Sequence, residues 1–442
     1  MLGNSNFGIL HIEIYTPKYA IKQTEIELAD NCVGKYVKGL GQIERSVNHF
    51  NEDVVSMALT VVQNTLNSTN IQPSDIGRID VGTETRTDYS KSIVSHLQQL
   101  LKFTDIEGID CTNACFGGTM ALFNALNWMH SPFWSGKYAL VVTSDIAIYQ
   151  GTPNATGGAA AVCMLLGPDA PLRIDTTYTN FVQHAYDFFK PNPLTGTPVV
   201  DGPLSLKCYF AALIDCYSNY KLKTGIERIE SFDFLCLHTP FAKQVEKSIL
   251  LLKAFDALNN TNKSPLELDL FQIMEKYDIS TILALLVNKA CMAELMNTCK
   301  DLIKKLVGAS LVIPRHVGNA YCSSLFMSLY SLIANCKNID FGLNAAFVNQ
   351  TMTTTNKIGI FSYGSGCMAR FYAMTLDDLK KLTINDPKAL MSKREFIDYD
   401  TFTAWITEFQ KLRLIANYEH QEEKDSDHFS ICNIQEWKRF YF

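Results

Sequence analysis

Cys115, Glu84 and His238 each stand at the end of a predicted element, and together they could work on an activated acyl group. Cys115 lies in Asn113-Ala114-Cys115-Phe116-Gly117-Gly118-Thr119. An apolar segment from Ile106 to Asp110 leads in, and a helical pattern with Met120, Leu122, Phe123, Leu126 and Trp128 follows. A cysteine at such a turn faces unpaired N–H groups and the positive end of a helix dipole, which favours a thiolate. Gly117 and Gly118 are expected to clear side chains from the approach to the sulfur. Glu84 closes the short strand pattern Ile79–Gly82, and His238 closes Phe232–Leu237. A thiolate accepts and returns acyl groups, a carboxylate can take a proton from carbon beside a carbonyl, and an imidazole can donate to a carbonyl oxygen. Each residue alone also has a plain structural reading: a buried cysteine in a turn, a capping carboxylate, a satisfied histidine.

The elements that must position these groups form an alternating series. Gly8–Tyr15 alternates like a strand and stops at Pro17; helices are expected near 24–31, 53–66 and 90–101. The basic, glycine-punctuated stretch Gly34–Gly41 reads as a loop near an anionic group or as a solvated turn. Tyr138–Val142 and Ala160–Leu166 are strands of the buried type. The second half repeats the plan: Phe232–Leu237 runs into His238 as the earlier strand ran into Glu84, Gly318–Cys322 opens an apolar helix to about Ala334, and Lys357–Phe361 is a strand. Such alternation predicts an α/β protein with a largely buried sheet, and the repeated order suggests an internal duplication. The expected division is 1–175 and 176–442, with a helical insertion near 253–305. The charged run Glu422–Asp427 reads as solvated.

Bulk properties narrow the function. The 442 residues carry a formal net charge of -6, which argues against nucleic acid or an anionic membrane as the main partner. No apolar run is long enough to cross a bilayer. Thirteen scattered cysteines and a start without a basic or amphipathic leader predict a cytoplasmic protein without structural disulfides. No spacing suggests a metal site, and no dinucleotide or P-loop fingerprint occurs, so no cofactor is expected.

Six stretches then occur in order: Val81–Thr85, Asn113–Gly118, His184–Pro191, Val200–Ser205, His238–Lys243 and Phe361–Gly366. Together they resemble the hydroxymethylglutaryl-CoA synthases, with the likeness running from about Gly8 and weakening after Thr375. The resemblance implies a thiolase-like fold, with duplicated βαβαβ halves in a five-layered αβαβα arrangement, usually as a homodimer. It implies acetyl-CoA and acetoacetyl-CoA as substrates. By the same resemblance, Cys115 is the nucleophile that takes acetyl, Glu84 the acid/base and His238 the residue that polarises the acetoacetyl carbonyl. Thr156, Ser205, Asn319 and Ser365 would line the substrate site. Lys243 and Lys247 would meet the CoA phosphates, and backbone N–H groups of Cys115 and Ser365 would form an oxyanion hole.

The chain departs from the family pattern at Tyr149–Thr156, which is one residue shorter than its counterpart and lacks that loop's arginine. Cys32-Val33 and Ala242 also differ from residues usual in relatives. Two rival readings remain at this level. One is a sister condensing enzyme that takes acetyl from a carrier protein, and the other is a non-catalytic relative, against which the intact Cys115, Glu84 and His238 speak.

Overall fold

A computed structural model describes residues 6–102, 104–192, 196–343, 355–419 and 428–442; the run 422–427 lies outside them. Its centre is a ten-stranded mixed sheet. In chain order the strands are β1 (Gly8–Tyr15), β2 (Ile76–Gly82), β3 (Glu107–Cys111), β4 (Tyr138–Ile146), β5 (Ala159–Gly167), β6 (Leu172–Val182), β7 (Phe234–Leu237), β8 (Asn356–Gly364), β9 (Met368–Leu376) and β10 (Thr383–Ile384). Across the sheet the order is β7-β8-β9-β6-β1-β5-β4-β2-β3, with β10 added parallel to β1.

That order contains the duplication. In the first half β3, β2 and β4 are mutually parallel neighbours, and β5 and β1 follow antiparallel. In the second half β7 and β8 are parallel, and β9 and β6 follow antiparallel. The halves meet where Ile9 of β1 pairs with Leu172 of β6. One strand of the plan has no counterpart. Where the second half would repeat β3, the described chain instead forms the short helical turns Ala309–Leu311 and Pro314–Val317.

Five helices position the site: α1 (Val54–Thr69), α2 (Gly117–Met129), α3 (Gly202–Thr224), α4 (Ala242–Asn259) and α5 (Cys322–Cys336). Every residue of α5 is buried, as is most of α2, because these two form the middle layer. Phe123, Leu126, Phe326 and Tyr330 fill one core with Ile12 and Val141 of the first half and Ile358 and Tyr372 of the second. A helix apolar all round is stable only when covered on every side. The outer layers use separate cores. Val55, Leu59 and Val62 of α1 pack on the first half, and Leu213, Tyr217 and Leu250 of α3 and α4 pack on the second. After α4 come four further helices, Pro265–Lys276, Ile282–Val287, Lys289–Thr298 and Lys300–Val307. The first turn of Pro265–Lys276 is set by Ser264 and Glu267, which cap each other's backbone N–H groups.

Candidate active site

Each predicted chemical group sits at an element end, for local reasons. Ala114 is left-handed (φ 43°) and throws Cys115 out of the chain path just before α2. The second half repeats the device, with Tyr321 (φ 43°) immediately before Cys322 at the start of α5. Left-handed backbone at a non-glycine residue costs roughly 1–2 kcal/mol, and it persists here because packing on both sides determines it. Glu84 follows the C-terminal end of β2, and His238 follows that of β7.

Close approach joins these ends. A Cβ on Gly82 would lie 2.4 Å from the Cα of Gly118, so β2 and α2 touch backbone to backbone. A Cβ on Gly364 would lie 2.7 Å from Asn113 O, which presses the turn carrying Ser365 against the cysteine loop. Gly117 and Gly118 have a different job from the one expected. A Cβ on Gly118 would meet Thr143 and Phe326, and one on Gly117 would meet the carbonyl of Cys111 and Cys322 Sγ. These glycines let α2 pack on α5 and β4; they do not open a path to the sulfur.

The cysteine thiol donates to Glu84 Oε2 at 3.3 Å. On its other oxygen Glu84 is paired with Lys190, Nζ to Oε1 2.8 Å, and Lys190 also donates to the Glu84 carbonyl at 3.1 Å. Burial pushes the Cys115 thiol well above its ordinary range, and the Glu84 carboxylate pushes it further. Cys115 therefore rests as a thiol, which corrects the expectation of a dipole-stabilised thiolate. Desolvation and an adjacent carboxylate outweigh the dipole of one helix end, which contributes about 0.3–1 kcal/mol.

Asp145, at the C-terminal end of β4, holds this arrangement together. Its Oδ1 accepts from Thr83 Oγ1 and Thr85 Oγ1, each at 2.8 Å, and from the N–H groups of Glu84 and Thr85 at 3.0 Å. Its Oδ2 accepts from the N–H of Cys322 at 3.0 Å. One carboxylate thereby fixes the Glu84 turn and ties it to the other half's central helix. Burial, then the nearby Glu84, pushes the Asp145 carboxyl up to about 6.

Cys115, His238, Asn319, Thr156, Ser205 and Ser365 line one cavity of about 510 Å³. This lies in the range typical of ligand pockets, and much of its wall is apolar, with Tyr149, Phe188, Phe241 and Tyr363. His238 is 2% exposed, and its Nδ1 has no partner among the described residues. Burial lowers its pKa to about 3, so it faces the cavity as a neutral imidazole. Asn319 donates to the Tyr149 hydroxyl at 2.9 Å, while its Oδ1 accepts from Tyr321 N–H and Ser324 Oγ. Its amide is thus held from both ends.

Two expected residues lie elsewhere. Lys243, in the first turn of α4, pairs with Glu246 at 2.6 Å and lines a separate cavity of about 920 Å³. Lys247 is exposed one turn further along and lines neither cavity. Among the described residues, the cation on the wall of the cavity that Cys115 and His238 line is Lys35, from the basic loop 34–41.

Sequence reasoning missed Asp145, Lys190 and Arg45 as functional supports. Arg45 comes from the short strand Glu44–Val47 and is buried. It donates to Asn154 Oδ1 at 2.7 Å, to Ala147 O at 3.1 Å and to the Asn154 carbonyl, with its guanidinium 4.7 Å from the Phe402 ring centre. Desolvation draws its pKa down to about 10. The shortened loop, lacking its own arginine, is thus clamped by a guanidinium from another element. Only a buried arginine in a polar-flanked strand could have signalled this.

A cysteine that donates to a carboxylate, facing a neutral histidine across an apolar cavity at the junction of duplicated halves, defines an acyl-condensing enzyme of the thiolase-like class. The family models for the N-terminal and C-terminal parts of hydroxymethylglutaryl-coenzyme A synthase match residues 4–171 and 173–434. The chain belongs to the hydroxymethylglutaryl-CoA synthase family. It is 38% identical to the mitochondrial enzyme of Sus scrofa, over 90% of this chain and 80% of that one. It is 37% identical to the cytoplasmic enzyme of Cricetulus griseus, over 95% and 83%. Among solved structures, MvaS in complex with 3-hydroxy-3-methylglutaryl coenzyme A matches at 26% identity and a TM-score of 0.80, covering 99% of each chain. The curacin-pathway HMG synthase, at 21% identity and a TM-score of 0.80 over 99% of each chain, shares the fold. Among the described residues no helix is long and apolar enough to cross a membrane, and no group of three His, Cys, Asp or Glu could hold a metal ion.

Proposed function

We propose that the chain condenses acetyl-CoA with acetoacetyl-CoA and water to give 3-hydroxy-3-methylglutaryl-CoA and CoA. The observation that carries this reading is the 3.3 Å contact from Cys115 Sγ to Glu84 Oε2, with Cys115 on the wall of the cavity that His238 also lines.

In this reading Glu84 takes the thiol proton as Cys115 attacks the acetyl carbonyl, and passes it to the departing CoA sulfur. The carboxylate is then free to take a proton from the methyl group of acetyl-S-Cys115. The enolate attacks the ketone carbon of acetoacetyl-CoA, whose oxygen accepts from the neutral His238 ring, and the resulting alkoxide takes the proton held by Glu84, which restores the carboxylate. Asn319 and Ser365 orient the acyl groups, and Thr156 and Ser205 shape the channel. Lys35 joins Lys243 and Lys247 as candidates for the CoA phosphates. Water finally cleaves the bond to Cys115. Aligned donors in a water-poor cavity suit an enolate and an alkoxide, both of which carry charge that bulk water would otherwise stabilise.

The reading also takes two halves, but sets their boundary ahead of Leu172 rather than at 175/176, because β6 (Leu172–Val182) belongs to the second half's strand order. A homodimer is supported by β3, whose outer edge pairs with nothing among the described residues and carries a half-exposed Ile109. Light scattering at micromolar concentration tests it, and a monomer refutes it. Thirteen unpaired cysteines support a reducing, cytoplasmic setting, which subcellular fractionation tests.

The decisive experiment is incubation with acetyl-CoA followed by mass spectrometry of the Cys115 peptide. Wild type should carry one acetyl group there, Cys115→Ser none, and Glu84→Ala should form little condensed product. A wild-type peptide that stays unmodified refutes the function.

A further inference from the structure

Cys115 and Glu84 touch each other but line different cavities. Cys115 lies on the wall of the 510 Å³ front cavity, whereas Glu84 lies on the wall of a second one of about 270 Å³. Phe188 is shared by both walls, and Ala114, the residue before Cys115, lines the rear one. The rear cavity differs in character. Beside Glu84 it is lined by Arg86, Lys190, Arg413 and the hydroxyl-bearing Thr85 and Thr112. Arg86 Nε is buried and has no protein partner among the described residues. A cavity of this size has room for several waters at about 30 Å³ of liquid volume each, and the charged and hydroxyl groups on its wall give them partners.

The proposed reaction gives this second opening a use. In that reaction the condensed product on Cys115 still carries its CoA portion, which in this reading occupies the front cavity and leaves the rear one as the free approach for water. We propose that the rear cavity supplies the hydrolytic water, which reaches the Cys115 thioester past Glu84, from the side opposite the CoA channel. The step balances as follows. The water oxygen bonds to the thioester carbonyl carbon while Glu84 takes one water proton, and the carbon–sulfur bond breaks with its electron pair going to Sγ. Glu84 then returns the proton across the 3.3 Å contact to regenerate the thiol. Lys190, paired with Glu84 at 2.8 Å, holds the carboxylate between the two cavities. Glu84 is therefore reached by the acetyl methyl group from the front and by water from behind.

This inference rests on the proposed condensation, and its test separates the two. Thr112→Phe and Phe189→Trp each enlarge an exposed side chain on the rear wall and leave every front-wall residue untouched. Each variant is mixed with acetyl-CoA and acetoacetyl-CoA, quenched in acid and weighed as intact protein, and acetylation is timed separately with acetyl-CoA alone. The expected result is acetylation within about twofold of wild type, release slowed by about tenfold or more, and the condensed adduct as the main enzyme form. A variant that slows acetylation, condensation and release together has disturbed Glu84 itself and counts against a dedicated water route. Wild-type release in both folded variants, checked by circular dichroism, overturns the proposal while leaving the condensation standing. Wild type that never acquires an acyl group overturns both.

Discussion

His238 offers a measurement that links burial to chemistry. Burial alone lowers its pKa from 6.5 to about 3, because the cavity wall cannot solvate an imidazolium and no carboxylate among the described residues pairs with it. Below pH 6.5 the unfolded chain binds a proton that the folded chain refuses. The stability associated with this residue is therefore complete above 6.5 and is lost as pH falls towards 3. Over that whole interval, at about 1.4 kcal/mol per pH unit, the loss is on the order of 5 kcal/mol; between pH 6.5 and 5 it is about 2 kcal/mol. Asp145 acts in the opposite sense. Its carboxyl, raised to about 6, favours the fold below the ordinary value of 3.8 and loses that contribution as pH rises through 6. Only a comparison at fixed Asp145 isolates the histidine, so the perturbation is His238→Asn, which keeps a neutral donor and removes the titration. Urea unfolding of both proteins at half-unit steps from pH 5 to 7.5 should show wild type losing about 2 kcal/mol more than the variant on the acid side. The acid limb of kcat/KM should likewise contain no ionisation of His238 above pH 5. Parallel stability curves would refute the reasoning, since they would mean that the native histidine accepts a proton as readily as the unfolded one.

The remaining predictions follow from the site's supports. Asn319→Ala should weaken the use of acetoacetyl-CoA by about 2–4 kcal/mol in transition-state stabilisation while sparing acetylation; equal damage to both half-reactions would show that the roles are wrong. Arg45→Met should free the 147–156 loop and raise KM for the acyl-CoA substrates by about tenfold, with less effect on kcat. Arg45→Lys should not rescue it, because one ammonium cannot reproduce a guanidinium that reaches Asn154 and Ala147 together; full rescue refutes the clamp. Thiol titration under denaturing, non-reducing conditions should find all thirteen cysteines reactive, and a stable intramolecular disulfide would contradict the fold.

How much of this was legible depends on the range over which each residue acts. β1 could be read because its alternation is local, and α2 and α5 because an apolar helix after a turn announces itself within fifteen residues. The parallel between the Glu84 and His238 strand ends was also legible, since it repeats a short pattern. β6 was not. Leu172–Val182 carries Arg173, Asp175, Thr176, Thr177 and Asn180, a polar composition for a strand at the middle of a sheet, and it is tolerated because several of its positions stay only partly buried. The 23-residue α3 was equally hidden, its tyrosines and cysteines mixed with lysines and serines that blur the apolar face.

The parts of the site that escaped reading share a physical cause: their partners are distant in sequence and chosen only by the fold. Nothing near Asp145 announces that it will accept from Cys322, 177 residues away, or that Arg45 will hold Asn154, 109 residues away. Lys190 stood inside a recognised stretch, yet its neighbours do not reveal that it pairs with Glu84. The reversal at Cys115 has the same origin. A helix N-terminus is visible in one segment and argues for a thiolate, whereas the burial that keeps the thiol protonated, and the carboxylate that adds to it, come from other parts of the chain. Local sequence singles out Cys115 and Glu84, and the long-range contacts set the surroundings in which they sit. Substitutions at Asp145, Lys190 or Arg45 should therefore alter the chemistry of Cys115 and Glu84 without touching either residue.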